Sequence, residues 1–338
     1  RMVVLVDAED RGNEGDLIIP AQMATPDAVN FMARYGRGLI CLAMTRDRAS
    51  DLGLSEMVRT NQSRTRTAFT QSIEARDGIS TGISAHDRAL TIATAIDPTK
   101  GSDAIVSPGH VFPLIARDGG VLIRAGHTEA SVDLARMAGL NPASVICEIM
   151  NDDGTMARLP DLKIFARRQG LKIGTIEDMI AYRLRHDRIV TQVMETTVRS
   201  ACDDEFRMHV YETNVDPAEH IALVKGDLSA PGPVLVRVHA VNVLTDLAGI
   251  GSDAECCLVE QSLRAITAEG RGIVILIRDV RPRAVSEWLA NHGLSKNKAS
   301  DEHRKSRQVE IGVGSQILAD LGVEDMILLT NSPQHNYV

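Results

Sequence analysis

Four carboxylates are concentrated in an acidic loop near the start of the chain. Within eight residues the loop contains Glu9, Asp10, Glu14 and Asp16. Carboxylates at this density repel one another unless a cation or an arginine offsets their charge, and Mg²⁺ prefers such oxygen ligands. Arg11 lies among them and suits a phosphate or carboxylate partner. A solvated surface turn is the alternative interpretation of the same residues.

A second candidate segment reads Arg-Ala-Gly-His-Thr and precedes a predicted helix over 128–138. Gly126 permits a tight bend, and Thr128 is the candidate N-cap of the helix. Backbone N–H groups at a helix N-terminus bind anions, and Arg124 would complete such a site. His127 would be placed to ligate a metal ion or to move a proton. The alternative is a structural cap beside an incidental histidine.

Two further side chains have types suited to proton transfer. His110 lies in the segment 108–114, whose two prolines restrict the backbone, so we predict a loop of fixed geometry that orients the imidazole. Glu148 lies in an apolar strand, where burial makes ionisation costly. Ser80 and Thr81 add hydroxyl groups that can bind a sugar or a phosphate. A structural histidine, a glutamate facing solvent and an ordinary turn are the alternatives.

Composition narrows the class of protein. The chain has 338 residues, of which 44% are hydrophobic and 24% charged, which is typical of a globular protein with two domains. The net charge of −8 and the aromatic content of 3% disfavour nucleic-acid binding. No apolar stretch approaches the roughly 20 residues that span a bilayer, so no membrane partner is expected. Five cysteines without a CxxC pair, and a start without a signal peptide, predict a reducing, cytoplasmic location.

Strand-like runs and helical patterns in both halves predict a mixed α/β (α+β) fold. The first half lacks strict alternation of strands and helices, so we predict a layered α–β–α sandwich there. We assign residues 1–187 to this first domain, the charged residues 188–206 to a linker, and residues 207–338 to a second α/β domain.

Several motifs of the first half resemble the 3,4-dihydroxy-2-butanone 4-phosphate synthase family. They are Asp10–Leu17, Ser80–Ser84 with Asp87 and Arg88, Pro108–Leu114, Arg124–Ala130 and Asn151–Arg158. The resemblance covers about residues 1–187. It implies conversion of ribulose 5-phosphate to 3,4-dihydroxy-2-butanone 4-phosphate in riboflavin biosynthesis, through an enediol and with release of formate. It also implies Mg²⁺ or Mn²⁺, and a homodimer with shared active sites.

The same resemblance implies roles for individual residues. His110, Glu148, Asp16 and Glu14 would be catalytic, and His127 would ligate the metal ion. The substrate would be bound by Arg11, Gly12, Asp16, Ser80, Thr81, Arg124, Ala125, Gly126, His127, Thr128 and Glu148. Gly12 stands where the family carries a glutamate that ligates the metal ion. We therefore expect weaker metal binding and slower turnover than in the family.

The second half resembles GTP cyclohydrolase II, in Arg237-Val238-His239 and in Glu269–Ile273. That family's zinc site needs three cysteines, and an ungapped alignment places Asn242, Asp253 and Glu255 at those positions. One amide and two carboxylates make a poor zinc site, so we expect neither zinc nor cyclohydrolase activity in this domain. Two alternative functions stay open, namely a catalytically silenced scaffold or regulatory partner of riboflavin enzymes, and an active GTP cyclohydrolase II.

Overall fold

A computed structural model describes residues 1–7, 12–63, 65–200, 204–214, 218–250, 257–279, 284–291 and 312–330. The chain divides into two compact units, Arg1–Arg183 and Leu184–Val338. In the described part of the chain, no helix combines the length and the apolar character that crossing a membrane requires.

A mixed sheet forms the centre of the first unit. Its strands are β1 (Val3–Val6), β2 (Gly15–Pro20), β3 (Cys41–Met44), β4 (Ile73–Ala75), β5 (Ile105–Ile115), β6 (Ala143–Glu148) and β7 (Lys172–Thr175). Across the sheet these seven described strands follow the order β4-β5-β3-β6-β2-β1-β7. The β3–β5 and β1–β7 pairs are parallel, and the other neighbours are antiparallel.

Helices cover both faces of this sheet. They are α1 (Pro26–Phe31), α2 (Arg46–Asp51), α3 (Ala85–Ile96), α4 (His127–Met137), α5 (Leu159–Gln169) and α6 (Ile176–His186). Because successive strand residues point to opposite faces, Leu42 joins the main core with Ile92 of α3 and Leu162 of α5, whereas Ala43 packs against Val132 of α4. The mixed α/β fold and its layered arrangement are therefore confirmed.

Two local predictions in this unit were wrong. The segment 108–114 is part of strand β5 rather than a loop, since its last residues pair with β3. The helix predicted to have Thr128 as its cap begins one residue earlier, at His127. Gly126 is the N-cap, because its backbone is extended while the next residue is already helical.

The second unit has its own mixed sheet. Its described strands are β8 (Val190–Arg199), β9 (Glu205–Thr213), β10 (Glu219–Lys225), β11 (Val234–Val241), β12 (Gly272–Arg278) and β13 (Met326–Leu328), in the order β13-β11-β12-β10-β9-β8. The helices are α7 (Val243–Asp246), α8 (Leu258–Glu269) and α9 (Ala284–Asn291), and residues 312–320 are also helical. Phe206, Leu263, Ile266 and Val274 form a core between α8 and the sheet.

Most of the linker expected over residues 188–206 is strand β8. This strand pairs with β9 along its length and forms the edge of the second sheet. Most of its side chains are exposed, so its polar composition resembles that of a linker although its backbone pairs with β9 on one side. The second unit accordingly begins at Leu184, before the expected boundary.

Candidate active site

Asp16 and Glu148 lie side by side on neighbouring strands. In the antiparallel β2–β6 pair, Asp16 is directly opposite Glu148. Opposite residues of such a pair point to the same face of the sheet. Their chain neighbours Leu17 and Cys147 point into the main core, so the two carboxylates face the other side, on which α4 packs. The backbone N–H of Leu39 donates to Glu148 Oε2 over 2.8 Å and fixes that side chain.

The first residue of α4 meets Asp16 on this face. His127 Nε2 lies 3.1 Å from the carbonyl oxygen of Leu5, and His127 Nδ1 lies 3.7 Å from Asp16 Oδ1. Leu5 is the residue opposite Asp16 in the β1–β2 pair. When Nε2 donates its proton to Leu5, Nδ1 directs a lone pair towards the carboxylate. Two acceptors that face each other in this way suit a cation between them.

Asp16 is the electrostatic centre of the site. Its side chain is buried, and burial raises its pKa well above the ordinary aspartate range. The negative charges of Glu148, Asp7 and Glu14 raise this pKa further, in that order. Asp16 therefore retains a proton more readily than an exposed aspartate, unless a cation binds beside it. The positive end of the α4 dipole supplies part of that compensation.

His110 lies on the same row of the sheet. Pairing places Phe112, Cys41, Ile146 and Ile18 opposite one another across four strands. His110 is two residues before Phe112 on β5, Glu148 is two residues after Ile146 on β6, and Asp16 is two residues before Ile18 on β2. All three steps run towards the same end of the sheet. The two-residue period of strands puts these three on one face, with His110 about 10 Å from Glu148, which is two strand spacings. The imidazole is 44% exposed, and its Nδ1 hydrogen-bonds to Glu74 Oε1.

The loop that carries Ser80 and Thr81 lies beside His110. Asp87 Oδ2 accepts hydrogen bonds from the Ser80 hydroxyl at 2.8 Å and from the Gly82 N–H at 3.0 Å. The Ser80 hydrogen bond, followed by that of the Gly82 N–H, holds the pKa of Asp87 below its usual range. Ser80 and Thr81 themselves are exposed. Asp87 thus fixes the loop through the Ser80 hydroxyl and the Gly82 N–H, and Thr81 between them is exposed.

Hydrogen bonds to other residues of the first unit hold the Arg124 side chain in place. Its guanidinium donates to Glu129 Oε2 at 2.5 Å, and to the Thr65 carbonyl and Thr67 Oγ1 at 3.0 Å each. Gly126 allows this arrangement, because a side chain there would overlap the guanidinium. Three of the five guanidinium donors are engaged in this way. Arg124 is therefore oriented beside the start of α4, next to the half-buried Ala125 and the buried Thr128.

The acidic loop is described only in part. Glu9, Asp10 and Arg11 lie outside the described residues. Gly12 has φ +110°, a conformation that L side chains rarely adopt, and a side chain there would overlap the guanidinium of Arg158. That guanidinium donates to the Gly12 carbonyl and, at 3.0 Å, to Glu14 Oε1.

The donor set suits a metal ion with few protein ligands. Within the described residues, no three His, Cys, Asp or Glu side chains converge as a metal cluster. His127 Nδ1 and Asp16 Oδ1 nevertheless face each other, and other carboxylates lie nearby. Mg²⁺ commonly keeps several waters and binds through one or two carboxylates. The residues therefore fit a hydrated divalent cation.

Sequence reasoning missed Glu74 and Arg158. Glu74 is the middle residue of β4, between the buried Ile73 and Ala75. A single carboxylate in an apolar strand was the signal that selected Glu148, and the same signal could have selected Glu74. Arg158 ends the motif Asn151–Arg158, but that motif assigned it no role, because only the tertiary structure brings it to Gly12.

In the second unit, one of the three positions expected to correspond to cysteine ligands of zinc is described, and it has another contact. The Asn242 side chain caps α7 by accepting from the Leu244 N–H at 2.9 Å. His239 Nε2 lies 2.9 Å from Asp246 Oδ2. Asp253 and Glu255 lie outside the described residues.

Comparison with known protein families matches each half of the chain. Residues 1–182 match the model of 3,4-dihydroxy-2-butanone 4-phosphate synthase, and residues 191–337 match that of GTP cyclohydrolase II. A 3,4-dihydroxy-2-butanone 4-phosphate synthase of Photobacterium phosphoreum is 46% identical over 98% of this chain and 90% of its own length. The riboflavin biosynthesis protein RibBA of Aquifex aeolicus is 46% identical over 99% of this chain and 84% of its own length.

Solved structures agree with this division. RibBX from A. baumannii, described as a two-domain 3,4-dihydroxy-2-butanone 4-phosphate synthase, superposes with a TM-score of 0.81 at 40% identity, covering 99% of this chain and 91% of its own. A 3,4-dihydroxy-2-butanone 4-phosphate synthase in complex with two magnesium ions superposes with a TM-score of 0.53 at 43% identity, covering 55% of this chain and 92% of its own.

The raised pKa of Asp16 makes a prediction about stability. An acid whose pKa is higher in the folded than in the unfolded chain binds more protons when folded, so this residue lowers stability as pH rises above the ordinary aspartate range. We expect Asp16→Asn, measured in EDTA by thermal melting at pH 8, to raise Tm by about 2–4 °C, which corresponds to about 1 kcal/mol in a unit of this size.

Exposed Asp77 provides the matched control, and Asp77→Asn should leave Tm unchanged. Adding Mg²⁺ should raise the Tm of the unsubstituted protein and leave that of Asp16→Asn almost unchanged. A lower Tm for Asp16→Asn in EDTA at pH 8 would contradict the electrostatic account.

Proposed function

Because the chain belongs to the 3,4-dihydroxy-2-butanone 4-phosphate synthase family, we propose that it converts ribulose 5-phosphate to 3,4-dihydroxy-2-butanone 4-phosphate and formate. The observation that carries the proposal is the row of acid–base side chains. His110, Glu148 and Asp16 share one face of the sheet, and His127 at the start of α4 meets Asp16 there. This arrangement suits proton transfers on a small sugar phosphate.

Each part of the site has a distinct task in this proposal. The N–H groups at the start of α4 and the oriented Arg124 bind the phosphate. His110 removes a proton from the sugar carbon. Glu148, fixed by the Leu39 N–H, exchanges protons with the sugar oxygens, and Asp16 beside it supplies a carboxylate to the cation. Both carboxylates lie on the face of the sheet against which α4 packs, so negative charge is concentrated on that face.

His127 and Asp16 would hold a divalent cation, Mg²⁺ or Mn²⁺, with water and sugar oxygens as further ligands. When bound, such an ion stabilises negative charge on the enediolate oxygens. The chain's contribution is to present one imidazole nitrogen and one carboxylate oxygen from two rigid elements. Gly12 contributes no side-chain ligand, so the proposal includes weakened metal binding.

Formate release from ribulose 5-phosphate tests the function and the role of position 12 together. We expect the purified chain to release formate with Mg²⁺ and to stop in EDTA. Gly12→Glu should lower the Mg²⁺ concentration for half-maximal rate by about tenfold, or about 1.4 kcal/mol in binding, because it adds a charged ligand.

Gly12→Gln is the matched control. It carries the same backbone cost at φ +110°, about 1–3 kcal/mol, but no charge. If Gly12→Glu and Gly12→Gln depend equally on the Mg²⁺ concentration, the side chain at position 12 does not ligate the metal ion. A folded chain that releases no formate would contradict the proposed activity and favour a scaffold.

We also propose that the second unit binds no zinc and has no cyclohydrolase activity. Support comes from Asn242, whose side chain is used as a helix cap, and from His239, which is paired with Asp246. Metal analysis of the full chain should find substoichiometric zinc, and GTP should yield no pyrophosphate. One tightly bound zinc per chain would overturn this part of the proposal.

Exposed apolar side chains around the site support a homodimer with shared active sites. Leu39, Ile83 and Ile123 are 41%, 54% and 45% exposed, and they adjoin Gly38, Gly82 and Arg124 in sequence. Exposed apolar side chains of this size beside site residues are the support for an interface at this position.

We expect Ile83→Asp to produce a monomer in light scattering and to abolish formate release. Ile164→Asp is the control, because Ile164 is 66% exposed on α5, which packs on the opposite face of the sheet. If both variants stay dimeric and active, the interface lies elsewhere.

A further inference from the structure

We propose that Glu74 is the positioning residue for His110. Its carboxylate holds the imidazole with the proton on Nδ1, so that Nε2 is the nitrogen that takes a proton from the substrate. The inference rests on the proposed function, in which His110 removes that proton. It adds a carboxylate–imidazole pair to the site, carried by two strands that are neighbours in the sheet.

The contact itself fixes the tautomer. Glu74 Oε1 hydrogen-bonds to His110 Nδ1, and within the described residues this is the only hydrogen bond of the ring. An ionised carboxylate can only accept, so the bond requires a proton on Nδ1. The glutamate side chain is 15% exposed and the imidazole 44% exposed. The pair therefore has a shielded side, occupied by the carboxylate, and an open side on the ring.

A bulge in β5 brings the two side chains together. Val106 pairs with Glu74 and Val111 pairs with Ile73, so residues 107–110 have no partners on β4. Two of the residues without partners on β4 form hydrogen bonds with Ser72. The Ser107 hydroxyl donates to its carbonyl at 2.6 Å, and the Gly109 N–H donates to its hydroxyl at 3.1 Å. His110 thereby returns towards β4 at the end of a segment with fixed ends.

Two glycines make room for the pair. A Cβ on Gly109 would overlap the carbonyl group of Ile73, so only glycine lets the bulge lie against β4. A Cβ on Gly82 would overlap the Glu74 carboxylate and lie 2.8 Å from His110 Nδ1. Gly82 is itself held by its N–H bond to Asp87. The backbone at Gly82 therefore packs directly against the Glu74–His110 pair, and the backbone at Gly109 packs against β4 beside it.

The chemistry follows from this geometry. The proton leaves the sugar carbon and bonds to Nε2, while the electron pair stays on the substrate as the enediol system. The ring becomes an imidazolium, whose positive charge lies against the Glu74 carboxylate. The contact thus orients the base before the transfer and stabilises the charge that the transfer creates.

Glu74→Gln in the 338-residue chain tests this inference with two measurements. The amide has the same shape but can donate to Nδ1, which favours the tautomer with the proton on Nε2. The ¹⁵N NMR signal of His110, assigned by its absence in His110→Ala, should report this change at about pH 8, where an ordinary imidazole is neutral. We expect kcat for formate release to fall about 100-fold, with KM within about twofold.

Exposed Glu177 supplies the control of matched chemistry, and Glu177→Gln should change neither measurement. An unchanged His110 tautomer in Glu74→Gln would overturn the inference whatever the rate does. A changed tautomer with an unchanged kcat would overturn it too, because positioning would then not matter to the reaction. If the unsubstituted chain releases no formate, the proposed function fails, and the NMR signal alone decides whether Glu74 sets the tautomer.

Discussion

The site depends on the pairing of β2 with β6, which fixes two carboxylates side by side under the start of a helix. Asp16 and Glu148 have no freedom to separate, because they are opposite residues of one antiparallel pair. Burial of Asp16 raises its pKa, and the negative charge of Glu148 beside it raises that pKa further. The fold maintains this unfavourable arrangement because the main core on the other face of the sheet holds the strands in register. Strand pairing therefore keeps two carboxylates adjacent, whereas in a flexible loop they could move apart.

A second constraint acts on the opposite side of the row. The residues between Val106 and Val111 in β5 have no partners on β4, and the last of them is His110. Edge distortions of this kind change the direction of a single side chain without disturbing the strands around it. Asp16 and Glu148 are thus brought together by regular pairing, whereas His110 meets Glu74 at a local irregularity. The β2–β6 pairing and the irregularity in β5 together give the α4-side face of the sheet two fixed carboxylates and an exposed imidazole.

Two of the residues expected to depart from the family pattern, Gly12 and Asn242, belong to the described part of the chain. Gly12 adopts a backbone conformation that suits glycine, and Arg158 lies over it and neutralises Glu14. In the second unit, Asn242 and Asp246 form hydrogen bonds that close the turn after β11. In both places the chain satisfies its polar groups internally.

The sequence by itself determined the residue types of the site and the family, since the acidic loop, the Arg124–Thr128 segment and Glu148 are visible as motifs. It also determined the mixed α/β class, because strand and helix patterns depend on local periodicity. Only the tertiary structure decided that Glu74 meets His110, that Arg158 covers Gly12, and that residues 190–199 are an edge strand. These facts depend on register and on contacts between distant residues. Local sequence carries no direct information about such contacts, whose partners here lie 36 and 146 positions apart for His110 and Arg158.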